Sequence, residues 1–156
     1  MTTTPETEAH GPVDFVLLEF PVEGLTGRAS EEMVKLIEQG VIRLYDLLVV
    51  MKTEDGTVEV LELTDPNGPA ASFSYFDGAR SGLLGDDDIA EATAAILPGT
   101  VAALIVYENT WAAPFVAAVR ESGGELVAST RIPAPDVMEA LDALEALDAQ
   151  QQETST

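Results

Sequence analysis

The densest run of chemically capable side chains is Tyr107-Glu108-Asn109-Thr110-Trp111, set between an apolar segment at 101–106 and an Ala-rich one from Ala112. A carboxylate, a carboxamide and an indole so close together could hold a polar ligand, with Glu108 and Asn109 as contacts and Trp111 as a wall. The same residues could equally begin a helix, Asn109 or Thr110 capping its free N–H groups while Trp111 packs over the strand end. Asp46 is the second point of interest, because it lies inside the otherwise apolar run 41–53. A buried carboxylate must be paired or protonated, unless the position marks a bulge or an edge. Tyr75, between Phe73 and Phe76 in a polar loop, could complete a pocket with the junction. The candidate ligand-binding set is therefore Glu108, Asn109, Trp111, Asp46 and Tyr75.

Other constellations are missing. The single histidine, His10, lies in the Thr-, Glu- and Pro-rich opening segment, so neither a His-based triad nor a His metal site can be assembled on the fold. There is no cysteine, hence no disulfide and no thiolate chemistry. The glycines of Gly78-Ala79-Arg80-Ser81-Gly82 follow a loop rather than a strand and fit no phosphate-binding fingerprint. Asp86, Asp87 and Asp88 lack the alternating spacing of a calcium loop and suit a helix N-terminus. No cofactor is expected, and no catalytic residue is assigned.

The 156 residues suffice for one domain with a substantial core, and 46% hydrophobic content supplies it. A formal charge of −21, with only seven scattered basic residues, disfavours nucleic acid and anionic membrane as partners. No apolar stretch approaches the roughly 20 residues of a membrane span, and the start has no signal-like pattern. The reading is a soluble, cytoplasmic protein.

The elements that must position these residues follow from periodicity. Residues 1–12 read as a disordered leader, 13–149 as a single domain and 150–156 as a disordered tail. A strand is expected over 13–20, ended by Pro21, then a helix over 28–39 with Gly40 as its stop. Residues 41–53 are apolar at both parities, as in a strand covered on both faces, and pair through a turn at 54–56 with an alternating arm at 57–63. A long loop spans 64–85. A helix over 86–97, a strand over 101–108, a helix from about 111 to the Gly123-Gly124 stop, a strand over 126–132 and a last helix over 134–149 complete the chain.

Two of these units repeat. Val16-Leu17-Leu18-Glu19 aligns with Ile105-Val106-Tyr107-Glu108, each strand ending in Glu and followed by a Gly-stopped helix and another apolar strand. Interleaved strand-helix-strand units give an α+β, ferredoxin-like sandwich with an antiparallel sheet; here it would carry an extra hairpin arm, an inserted helix and a C-terminal helix. The strand from 101 then lies between those from 13 and 41, antiparallel to both. Glu19 and Glu108 fall some 25 Å apart, too far to share a reacting bond. Glu108 instead ends near Asp14 and Arg43, and an Arg43–Glu108 ion pair is expected.

The segments GPVDFVLLEF, VIRLYDLLVVMK, GLLGDDDIAEA and above all LPGTVAALIVYENTWAAPFVAAVRESGGELVASTRIP resemble a family of small actinobacterial proteins carrying a domain of unknown function. That family is related to bacterial proteins described as membrane- or stress-associated. The resemblance covers about residues 11–135, and implies a ferredoxin-like fold and no particular activity. Some relatives carry a Gly-rich membrane hairpin where this chain has the loop 64–85, so membrane attachment does not carry over. The leading functional reading is a non-enzymatic interaction or assembly module, stress-related, that forms a homo-oligomer or binds a protein partner through a bare sheet face or the hairpin. The final helix over 134–149, if it covers that face in the monomer, counts against this reading. The alternative is a small-ligand sensor using the 107–111 junction and the 73–76 aromatic loop. A third is an oxygenase-type enzyme of the dimeric ferredoxin-like kind.

Overall fold

In a computed structural model, residues 9–154 are described. They divide into two compact units, with the boundary between Glu125 and Leu126. The first contains β1 (Val13–Pro21), α1 (Arg28–Glu38), β2 (Arg43–Lys52), β3 (Val58–Val60), α2 (Asp86–Ala95), β4 (Thr100–Glu108) and α3 (Ala113–Glu121). The second contains α4 (Ala134–Thr154). The protein is thus α+β, with one four-stranded antiparallel sheet ordered β1-β4-β2-β3.

β4 lies between β1 and β2 and runs opposite to both, as the repeat predicts. Its burial explains the position: Val101, Ala102, Ala103, Leu104, Ile105 and Val106 are all buried, which only a central strand covered on both faces achieves. The expected strand over 126–132 is not formed. That stretch has no regular structure, and Leu126, Val127 and Ile132 remain exposed. Its centre, Ala128-Ser129-Thr130, has little to bury on either face, so periodicity alone overestimated it. The fourth strand is instead β3, the short arm of the expected hairpin, which pairs with Val50, Met51 and Lys52.

Nor is one face of the sheet left bare. Met33, Val34 and Ile37 of α1 pack on the side carrying Leu47, Val49, Val101, Ala103 and Ile105. Ala92 of α2 and Ile96 just after it pack on the opposite side, against Leu48, Val50, Ala102 and Leu104. The loop 64–85 also contributes to the core, because Ala71–Phe76 coils into a 3-10 turn that buries Phe73 and Phe76 on the α1 side. α1 ends as expected at Gly40, whose φ of 72° lets Val41 N–H return to the Leu36 carbonyl. At α2, Asp88 accepts the Gly85 N–H at 3.0 Å, the role foreseen for the acidic triplet. Its other end is held by Lys52 Nζ, which donates to the carbonyls of Thr93 (3.0 Å) and Ile96 (3.2 Å), satisfying groups that the helix itself cannot.

Candidate functional site

The carboxylate of Glu108, at the end of β4, is only 3% exposed. Tyr45 Oη donates to its Oε1 at 2.6 Å and the Gly11 N–H donates to Oε2 at 3.0 Å. His10 Nδ1 stands 3.9 Å from Oε1. Burial pushes the Glu108 carboxyl up; the bonds from Tyr45 and Gly11, with the nearby charges of His10 and Arg43, outweigh it and hold the group below its ordinary value. The Tyr45 phenol is pushed up, first by its bond to Glu108 and then by burial. The pair is a carboxylate holding a neutral phenol.

Arg43, expected to form an ion pair with Glu108, acts on it here as one of the nearby charges that lower its pKa. Arg43 does lie opposite Glu108 in the β2–β4 register. Its guanidinium sits over the Tyr45 ring, 5.6 Å from the centroid, and Tyr45 takes the carboxylate. Just beyond Arg43 the register shifts between Leu44 and Asp46, giving β2 an extra residue at Tyr45. Asp46 follows directly, so its position beside a bulge agrees with that reading of a polar residue inside an apolar strand. It is 1% exposed, accepts the Ser81 N–H at 2.7 Å and also the Ser81 hydroxyl. Burial would raise its pKa, but the Ser81 bonds, joined by backbone bonds from Gly82 and Leu84, lower it.

Asn109 binds the opposite end of the chain. Its Nδ2 donates to the Pro12 carbonyl and to Asp14 Oδ2, both at 2.9 Å, and its own N–H reaches Pro12 O at 2.8 Å. Thr110 Oγ1 donates to Gly40 O at 2.8 Å and the Trp111 N–H to Val41 O at 3.3 Å. Neither Asn109 nor Thr110 caps a helix, contrary to expectation, because Thr110–Ala112 first forms a 3-10 turn and α3 begins only at Ala113. Trp111 does not pack over the strand ends either: it is 65% exposed, its Nε1 donating to Asn109 Oδ1 at 3.3 Å. Of the stretch read as a leader, residues 1–8 lie outside the described residues, whereas His10, Gly11 and Pro12 take part in this network.

Gly11 is demanded by the close approach. A Cβ there would come within 1.8 Å of the Asn109 carbonyl oxygen.

The candidate residues are therefore not gathered in one pocket. Glu108 and Asn109 face the N-terminal segment, and Asp46 faces the 81–84 loop. Tyr75, 61% exposed, borders a shallow groove of about 420 Å³ with Arg43, Ile42, Leu44 and Phe76, to which Glu108, Asn109 and Trp111 contribute nothing. A second hollow of about 300 Å³ is bordered by Leu61, Asp77 and Arg80. Sequence reasoning missed Tyr45, Gly11 and Ser81. Only Tyr45 gave a signal, as a polar-tipped residue beside Asp46 in a run apolar at both parities.

A family model described as a family of unknown function (DUF6325) matches residues 9–149, which include every residue of the Glu108 network. The chain belongs to this DUF6325 family. No curated protein and no solved structure matches it. Membership thus brings no reaction with it, and function has to be argued from the geometry. Among the described residues no helix is long and apolar enough to cross a membrane, and no group of three or more His, Asp or Glu side chains could hold a metal ion.

Proposed function

We propose that the chain is a non-enzymatic interaction module that associates with copies of itself through the outer edge of β1. The observation that carries this reading is the state of that strand. β1 is the first strand in the sheet order and among the described residues pairs with β4 alone, while Val13 (48% exposed), Phe15 (51%) and Leu18 (37%) remain open along it. Edge strands are normally blunted by lysine, proline or a bulge; β1 has no lysine, no register shift and its only proline at its last position. The carboxylates that could have been catalytic are committed to holding the fold, Glu108 to Tyr45 and Gly11, Asp46 to Ser81.

The ferredoxin-like relationship belongs with this proposal. The partial order β1-β4-β2, each outer strand antiparallel to β4, supports it, being the order such a sandwich would have for these three strands. A role in stress physiology, inside an actinobacterial cytoplasm, is the setting that the resemblance suggests for such a module.

Sedimentation velocity over a wide concentration range tests self-association. A concentration-dependent dimer that Phe15→Lys weakens is the expected result; a strict monomer at every concentration refutes it. A second reading, a small-ligand sensor, is favoured by the groove that exposed Tyr75 borders together with Ile37, Ile42 and Leu44. Ligand-induced thermal shifts lost in Tyr75→Ala would support that reading over the first.

A further inference from the structure

We propose that α4 is a docking helix for a basic, amphipathic helix of another protein. From Asp136 onward α4 is built on a three-residue repeat, in which an acid, a small or branched apolar residue and a long apolar residue recur. The long residues are Met138, Leu141, Leu144 and Leu147, exposed by 57%, 49%, 55% and 56%. No residue of this 21-residue helix is buried. Side chains three apart form a continuous ridge on a helix, and ridges of this kind are what a second helix packs against.

The identity of the occupant follows from what borders the ridge. Three of the four long apolar side chains have an acid four positions on, one turn away on the same surface: Met138 with Asp142, Leu141 with Glu145, Leu144 with Asp148. On its other flank the ridge is bordered by Val137, Ala140 and Ala143, small enough to form a groove. α4 carries no lysine or arginine, so these acids have no cation within their own helix. A second copy of α4 would place acid row against acid row, in a chain already at −21. A partner helix with a leucine-type face flanked by lysines or arginines fills the groove and neutralises the rows together. This surface and partner are independent of β1 and its self-association.

The probe is a fluorescently labelled 18-residue peptide of leucine and lysine, with leucines at helical spacing, titrated into the full chain. Its control has the same composition with the leucines scattered. The amphipathic peptide is expected to bind at least about tenfold more tightly than the control, with affinity falling as salt rises. Leu141→Ser with Leu144→Ser should remove that preference, and Glu145→Lys with Asp148→Lys should weaken binding by a similar factor. The Phe15→Lys chain should bind as the parent does. Equal binding of both peptides reduces the effect to bulk charge and overturns the proposal. So does unchanged binding in either α4 variant. Loss of self-association in Leu141→Ser with Leu144→Ser, strengthened by salt in the parent, would assign the ridge to a second copy and also overturn it.

Discussion

Glu19 and Glu108 stand at opposite ends of the β1–β4 pair, and each holds the chain as it approaches the other strand. Glu19, opposite Ala102, accepts the Leu97 N–H at 2.7 Å and the Thr100 hydroxyl at 3.5 Å, fixing the turn before β4. Glu108, opposite Val13, accepts the Gly11 N–H at 3.0 Å, fixing the segment before β1. Six register positions separate them, about 20 Å along the strands. The repeat visible in sequence is thus a repeat of structural duty. It differs in environment, since Glu19 is exposed and Glu108 buried, and the buried one has recruited Tyr45.

That difference sets the first expectation. Tyr45→Phe removes one of the bonds on a buried carboxylate, and should cost about 1–3 kcal/mol in chemical denaturation. It should also raise the Glu108 carboxyl titration followed by NMR, because burial then meets less opposition. Glu19→Gln should cost less than about 1 kcal/mol, its group being solvated. Equal losses for the two changes would mean that burial at Glu108 does not matter.

Acid should act through the same groups. Glu108 and Asp46 both have folded-state pKa values below their ordinary ones. Their contribution is therefore complete above the unfolded values of about 4.3 and 3.9, and is lost as pH falls through the lower folded values. Urea midpoints should be flat down to about pH 5 and then decline. Asp46→Asn should make the decline shallower while lowering the plateau, since an amide accepts fewer of the bonds from the 81–84 loop. A decline beginning near neutrality would point to other groups.

Gly11→Ala probes the approach of the N-terminal segment to the junction. With the Asn109 oxygen at 1.8 Å from the new Cβ, residues 10–12 must move away and give up the Glu108 and Asn109 bonds. A loss of about 1–3 kcal/mol is expected, with faster amide exchange confined to residues 9–14 and 107–111. Unchanged exchange there would show that the segment is not held by the network.

Most of the architecture was legible because it rests on burial. A strand apolar at both parities, such as β4, has to be central, and the Gly-stopped helix before β2 and the aspartates that open α2 behave as their chemistry dictates. What was hidden depends on single residues changing direction. Tyr45 brings a phenol to Glu108 beside a register shift, and no periodicity records either the bond or the bulge. Phe73 and Phe76 read as loop aromatics because a 3-10 turn is too short to show a pattern. The stretch 126–132 alternates like a strand at its ends, but Ala128-Ser129-Thr130 at its centre gives a sheet little to bury.

Lys52 gives the hairpin and α2 a common fate. Its backbone belongs to the β2–β3 ladder, while its ammonium group closes the carbonyl end of a helix on the far side of the sheet. The end of β2 is thereby tied to the end of α2 twice, by this side chain and by the Lys52 carbonyl, which accepts the Gly99 N–H at 2.6 Å. In a chain with so few cations, this one serves as a mechanical link between two elements that share no loop.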